Sequence, residues 1–141
     1  MERSPEVYLV RERMLETGVD MFLDIHGDEA IPYNFVAGSE GIPSYDDRIQ
    51  GLEEHFKQAL LTITPEFQDE VGYDKDEPGK ANLTVGSNWV GEQFKCLSYT
   101  VEMPFKDHIS QADELYGWSP DRSVAFGHDM LAAVFATVPK L

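Results

Sequence analysis

The chain has 141 residues, 42% of them hydrophobic, which predicts one globular domain over residues 1–141, or one piece of a larger domain, rather than a disordered segment. Its formal net charge of −15 argues against nucleic acid or an anionic membrane as a partner. No apolar run reaches the roughly 18 residues that a membrane span needs. The charged start does not fit a secretory signal. The lone cysteine, Cys96, excludes an internal disulfide and favours a cytoplasmic location.

Three helices are predicted, over residues 4–18, 44–64 and 119–138. Each starts at a serine that can cap it, and in the first and third helices proline follows that serine. Gly18 is expected to end the first helix, and a proline ends each of the other two. The second helix has an apolar stripe of Ile49, Leu52, Phe56, Leu60 and Ile63. The third helix has a stripe of Val124, His128, Leu131, Ala132 and Phe135.

Strands are predicted between these helices. Residues 19–25 form an almost continuous apolar run, which indicates a buried strand. Residues 96–103 alternate between apolar and polar side chains, and residues 33–36 are a weaker candidate. Residues 68–87 are predicted to form a long polar loop. This order of elements predicts an α/β fold, a mixed sheet covered by helices.

His26 directly follows the first predicted strand and precedes Gly27. In open α/β sheets ligands bind at the carboxyl ends of the strands, so His26 is a candidate metal ligand. With Glu29 it has the H-x-x-E spacing of a zinc-binding pair. Three interpretations are open: such a pair, one ligand whose partners lie elsewhere, or an acidic loop. Asp24, two residues earlier, could orient the imidazole or simply face water.

Glu102 lies late in the second predicted strand between Val101 and Met103. Apolar neighbours raise the pKa of a carboxyl group, which suits a general base near neutral pH. The alternative is an edge-strand glutamate that points into water, and the local pattern by itself favours that alternative.

Other candidate residues are weaker. Cys96 is expected to be a small buried side chain rather than a nucleophile. His128 is expected to lie in the core or on the surface of the third helix, and His55 and His108 have no ligand-like neighbours in the sequence.

Two stretches, "FLDIHGDE" and "SYTVEMPFKD", resemble the carboxyl-terminal half of zinc carboxypeptidases of the M14 type. The closer resemblance is to the cytosolic-carboxypeptidase-like branch. His26 matches the third zinc ligand of that family, and Glu102, 76 residues later, matches its catalytic glutamate. Trp89 matches a family tryptophan that is not catalytic. At the position of the family's mobile tyrosine lies Lys80, with Tyr73 as the nearest tyrosine.

The resemblance implies the C-terminal part of the zinc-carboxypeptidase (phosphorylase/hydrolase-like) fold. It implies zinc as the cofactor, with His26 as one ligand and Glu102 as the base. The substrate would be the C-terminus of a peptide or protein, or a side-chain amide. The family's first two ligands, an upstream H-x-x-E, have no counterpart here, which favours the single-ligand interpretation and makes Glu29 a loop acid.

Two further expectations follow from the resemblance. Without the upstream ligands this chain is expected to be inactive alone, and the sheet surface left by truncation could support a homo-oligomer. The alternative is a non-enzymatic acidic interaction domain that retains only the carboxypeptidase fold.

Overall fold

A computed structural model of the chain describes residues 3–141. It has the mixed α/β architecture that the sequence predicts. In chain order the helices and strands are α1 (Pro5–Thr17), β1 (Met21–Asp28), β2 (Phe35–Ala37), α2 (Asp47–Ile63), α3 (Gly86–Phe94), β3 (Leu97–Pro104) and α4 (Pro120–Thr137), with short 3-10 turns at Ile109–Gln111 and Val138–Lys140.

The three strands form one mixed sheet in the order β1-β3-β2. β1 runs parallel to β3, and β2 runs antiparallel to it. β3 is therefore the central strand, with a neighbour on each side. Within residues 3–141 no helix is long and apolar enough to cross a bilayer.

The hydrophobic core lies between one face of β3 and the helices α2 and α4. The alternation predicted for β3 is confirmed, since its apolar side chains point together into this core. Phe56 on α2 packs against Tyr99 on β3, with ring centroids 5.7 Å apart. The buried members of the core are Leu52, Phe56, Leu60, Phe67, Leu97, Tyr99, Val101, Phe126 and Ala133.

The start of α2 differs from the prediction, whereas the start of α4 agrees with it. α2 begins at Asp47 and not at Ser44, because Asp46 caps it: the carboxylate of Asp46 accepts a 2.9 Å hydrogen bond from the Ile49 N–H. α4 begins as predicted, and the Ser119 hydroxyl accepts from the Arg122 N–H.

The predicted loop over residues 68–87 ends in a helix that the sequence did not reveal. α3 has only nine residues, and Val85 precedes it, so no capping side chain marks its start. The predicted strand over residues 19–25 is shifted to Met21–Asp28. It is also not buried, because it lies at the edge of this sheet and Ile25 is half-exposed.

The apolar stripe predicted for the last helix lies on its solvent-facing side. Phe135 is 78% exposed, whereas Phe126, Ala133 and Thr137 are buried. α4 carries apolar residues on more than one face, so helical spacing alone does not identify the face that packs against α2. Phe126 settles the orientation, since it packs in the core beside Trp118.

Candidate active site

His26 and Glu102 lie side by side at the carboxyl ends of two neighbouring strands. They are register partners in the parallel pairing of β1 with β3. Side chains at paired positions of parallel strands project from the same face of a sheet, so both line one cavity of about 460 Å³. An open α/β sheet binds ligands at this end.

The imidazole of His26 contacts an acid on its own strand. Its Nε2 atom lies 3.0 Å from Asp24 Oδ1, and both side chains are partly exposed. Such a contact fixes the orientation of the ring. Glu29 lies just beyond the end of β1 and lines a separate small cavity that His26 does not line. The structure thus brings His26 together with Asp24 and Glu102 and not with Glu29.

Glu102 is buried, with 5% of its surface exposed, and it lies on the central strand. The edge-strand interpretation of this residue is therefore wrong. Burial raises the pKa of the Glu102 carboxyl group, and a hydrogen bond from Tyr73 and the neighbouring His26 oppose that rise. Its Oε1 atom accepts from the Tyr73 hydroxyl at 3.0 Å, while its Oε2 atom has no hydrogen-bond partner in the described part of the chain.

The Tyr73 hydroxyl also lies 2.7 Å from Asp28 Oδ2. A phenol has one hydrogen to donate, so it cannot serve two ionised carboxylates equally. The pKa of Asp28 is lowered, chiefly by the backbone N–H of Ile31, and burial raises the pKa of Glu102. The Tyr73 hydroxyl thus lies between two carboxylates whose pKa values are shifted in opposite directions, and Glu102 is the one that takes up a proton first.

Asp28 is a residue of the site that the sequence did not predict, and Tyr73 occupies the tyrosine position that the sequence left open. Tyr73 contacts Glu102, whereas Lys80 is exposed and does not line the cavity. Tyr73 is held edge-on against Phe35, with ring centroids 4.9 Å apart. The preceding Gly72 permits this approach, because a Cβ atom there would lie 3.1 Å from the Phe35 ring.

Helix α3 forms the base of the cavity. Ser87 on α3 and Thr100 on β3 share a hydrogen bond of 2.8 Å between their hydroxyl oxygens. The Ser98 hydroxyl donates to the Ser87 carbonyl at 2.7 Å. Trp89, also on α3, does not line the cavity. The guanidinium carbon of Arg11 lies over its ring, 4.8 Å from the ring centroid.

His26 is the residue of the cavity that is best suited to bind a metal ion. No group of three or more histidine, cysteine or acidic side chains within residues 3–141 is placed to hold a metal ion. Catalytic zinc ordinarily takes three protein ligands. His26 is chemically suited to be one of them, but the described residues do not complete such a set.

The other histidines and the cysteine lie apart from the cavity. His55 contacts the Ala136 carbonyl at 3.1 Å, and His108 is buried against Tyr33. His128 is exposed. Cys96 is buried as predicted, and burial raises the pKa of its thiol to about 11, so it is a poor nucleophile.

The chain is similar in sequence and in structure to known proteins. No protein-family model matches the chain. An uncharacterized protein of Zymomonas mobilis is 48% identical over 140 residues, which cover 99% of this chain and 37% of that protein.

Three solved structures share the fold closely. A Shewanella denitrificans OS-217 protein, named provisionally as a carboxypeptidase A, is 59% identical with a TM-score of 0.97. A metallo-carboxypeptidase of Pseudomonas aeruginosa, in complex with (2-guanidinoethylmercapto)succinic acid, is 47% identical with a TM-score of 0.96. A metallo-carboxypeptidase of Burkholderia cenocepacia is 45% identical with a TM-score of 0.93.

Each of these three alignments covers 99% of this chain and 37% of the compared chain. The chain therefore spans little more than a third of the length of the proteins it matches. Its fold is that of the C-terminal part of carboxypeptidase structures, and it resembles a fragment of a metallo-carboxypeptidase.

Proposed function

We propose that this chain is the C-terminal part of a zinc-dependent metallocarboxypeptidase of the M14 type, in the cytosolic-carboxypeptidase-like branch. The full-length protein would hydrolyse C-terminal peptide bonds or side-chain amides. The observation that carries the proposal is the pairing of His26 with the buried Glu102 at the carboxyl ends of β1 and β3. The identity to proteins named metallo-carboxypeptidases supports it.

In this proposal His26 is one ligand of the zinc ion, and the remaining ligands come from outside the described residues. A bound zinc ion would polarise the scissile carbonyl and lower the pKa of a bound water. Asp24 would hold the imidazole in position through the 3.0 Å contact of its Oδ1 atom with His26 Nε2.

Glu102 would act as the general base. Its raised pKa brings the carboxyl group closer to the range in which it can both accept and return a proton. Tyr73 holds Oε1, so the unpartnered Oε2 is the atom free to take a proton from water. The same oxygen would then deliver that proton to the leaving amine.

The substrate in this proposal is a peptide or protein chain with a free C-terminal residue. The ligand in the Pseudomonas aeruginosa structure is a succinic acid derivative, so that protein binds a compound with carboxylates, as a peptide C-terminus also has. We also propose a cytoplasmic location, because a chain with the single cysteine Cys96 forms no internal disulfide and fits a reducing compartment.

Self-association is a further element of the proposal. Among the described strands β1 pairs only with β3, so its other edge offers unpaired backbone groups. Light scattering on the 141-residue chain tests for self-association, and a monomeric mass would refute it.

The decisive experiment compares two glutamate-to-glutamine variants of the full-length protein. Glu102→Gln removes the base without changing the side-chain size, and we expect hydrolysis to fall by about 10²- to 10⁴-fold. Glu29→Gln is the matched control, since it changes an exposed acid of the H-x-x-E spacing, and we expect it to leave hydrolysis and zinc content unchanged.

The outcomes separate the alternatives. Full activity of Glu102→Gln would refute the assignment of Glu102 as the general base. Loss of zinc from Glu29→Gln would support the interpretation of His26 and Glu29 as an H-x-x-E zinc pair. If the wild-type protein neither binds zinc nor hydrolyses peptides, the non-enzymatic interaction domain is the correct interpretation.

A further inference from the structure

Residues 105–118 form a loop between β3 and α4, and this loop contacts the end of β1. The Phe105 N–H donates a 3.0 Å hydrogen bond to the Asp28 carbonyl. The Phe105 ring lies against Gly27, where a Cβ atom would be 2.5 Å from Cε1 of that ring. The loop therefore supports the two residues that directly follow His26 in the candidate active site.

Arg122 on α4 holds the loop from its inner side. Its guanidinium donates to Asp107 Oδ1 at 2.9 Å and to the carbonyl oxygens of Gln111 and Gly117. It also donates to both carboxylate oxygens of Glu66, at 3.2 and 2.7 Å. These contacts use every N–H of the guanidinium, so Arg122 binds the closed form of the loop with its full set of donors.

His108 belongs to this loop and is buried, with 1% of its surface exposed. Neither of its ring nitrogens has a hydrogen-bond partner within residues 3–141. Tyr33 packs edge-on against the imidazole, with ring centroids 5.3 Å apart. A neutral imidazole has one N–H to satisfy, whereas an imidazolium has two and a charge besides. The closed loop thus accommodates the neutral ring better than the protonated ring.

Three charged side chains act on the His108 ring. Burial lowers the pKa of His108 below its ordinary value of 6.5, and it outweighs the attraction that Glu66 and Asp107 exert on an imidazolium. The Arg122 guanidinium repels an imidazolium and so lowers the pKa further. Both carboxylates already accept hydrogen bonds from Arg122. His108 is consequently uncharged at neutral pH while the loop is closed.

We propose that His108 is a pH-sensitive switch: its protonation opens the loop of residues 105–118 and removes the support of Gly27 and Asp28 beside the candidate active site. An open loop exposes the ring to water, where its pKa returns to the ordinary value of 6.5. The open form then binds a proton more tightly than the closed form does. The stability that His108 gives the closed loop is therefore complete above pH 6.5 and is lost as the pH falls below that value toward the lowered pKa.

The test is amide hydrogen exchange of the 141-residue chain at pH 7.5 and pH 5.5, measured by NMR and corrected for the intrinsic pH dependence of exchange. The reporter is the Ile109 N–H, which donates to the Pro32 carbonyl at 3.0 Å in the closed loop. Proton linkage to a group with an ordinary pKa of 6.5 predicts that its opening constant rises about three- to tenfold at the lower pH. Amides in the interior of α2 should keep their protection, because the opening is local.

Two variants remove the titrating group. His108→Phe keeps an aromatic ring against Tyr33, and His108→Gln keeps a polar side chain, so each controls for the packing of the other. In both variants we expect the opening constant at Ile109 to be the same at the two pH values, whatever its absolute size. The matched control is His128→Gln, which removes an exposed imidazole from α4 and should retain the rise at pH 5.5.

Three results would overturn the proposal. The first is a change of less than twofold at Ile109 in the unchanged chain. The second is a rise at pH 5.5 that persists in both His108 variants, and the third is an equal rise in the α2 amides, which would mean global unfolding. The switch is independent of the proposed carboxypeptidase function, since hydrogen exchange at Ile109 reports on the loop without any substrate or metal.

Discussion

The hydroxyl of Tyr73 lies 3.0 Å from Oε1 of Glu102, and it reaches that carboxylate from a loop on which most side chains are exposed. The loop residue thereby fixes one oxygen of a buried acid. The other oxygen is buried and has no hydrogen-bond partner among residues 3–141. The protonation of Glu102 consequently depends on the position of the loop.

The first prediction concerns Tyr73→Phe. The Tyr73 hydroxyl lowers the pKa of Glu102, so its removal should raise that pKa further above its ordinary value. Carbon-13 NMR of the glutamate carboxyl groups measures the shift. Tyr116→Phe, which removes an exposed hydroxyl, should leave the titration unchanged. A Glu102 pKa that stays the same or falls in Tyr73→Phe would contradict the assignment.

The second prediction concerns the pH dependence of stability. Burial raises the pKa of Glu53 in the folded protein above its ordinary value of 4.5. The folded state then binds a proton more tightly than the unfolded state, so the stability from this group is complete below pH 4.5 and declines as the pH rises through the raised pKa. Glu53→Gln should remove that decline, as measured by urea unfolding at a series of pH values.

Glu54 provides a control of the opposite sign. Hydrogen bonds from Gln58 and Lys57 lower the pKa of Glu54, so its contribution is present above pH 4.5 and is lost as the pH falls through the lowered pKa. Glu54→Gln should therefore reduce stability at neutral pH rather than in acid. The same pH profile for both variants would show that neither shift has the stated cause.

The third prediction tests which face of each long helix is buried. Leu60 on α2 is fully buried and Leu131 on α4 is 56% exposed. Leu60→Ala should lower the free energy of unfolding by about 2–5 kcal/mol. Leu131→Ala should change it by less than about 0.5 kcal/mol. Urea unfolding measures both, and comparable losses would mean that α4 buries its other face.

The fourth prediction concerns two glycines. Gly51 lies inside α2, and a Cβ atom there meets nothing within 4 Å, so Gly51→Ala should raise stability by about 0.5–1 kcal/mol. Gly18 ends α1 with φ +76°, a conformation that side chains rarely adopt. Gly18→Ala should lower stability by about 1–3 kcal/mol. Thermal unfolding checks that the stability of Gly51→Ala rises and that the stability of Gly18→Ala falls, relative to the unchanged protein.

Features that short-range chemistry determines were predictable from the sequence. The serine at position 119 caps α4, and the alternation along β3 separates a core face from a polar face. The apolar run before His26 indicates that this residue lies near the end of a strand. The order of helical and strand patterns indicates a sheet packed against helices. Helix α3 escaped prediction because Val85 gives no cap signal.

Long-range contacts were not predictable in the same way. Nothing near Tyr73 in the sequence indicates that its hydroxyl bridges Asp28 and Glu102, because the three residues come from separate parts of the chain. The burial of Glu102 likewise depends on β3 being central rather than on its neighbours in sequence. The buried face of α4 is decided by contact with α2, and helical spacing could not choose it.

The central strand β3 has a consequence for how substitutions distribute their effects. Leu97, Tyr99 and Val101 belong to the core, whereas Ser98, Thr100 and Glu102 belong to the face that α3 and the cavity cover. In a saturation mutagenesis screen of the full-length protein, we expect losses of cellular abundance and losses of the proposed hydrolytic activity to alternate along these six positions. Successive residues of β3 would thus be under alternating selection, for folding stability at the core positions and for function at the positions on the cavity face.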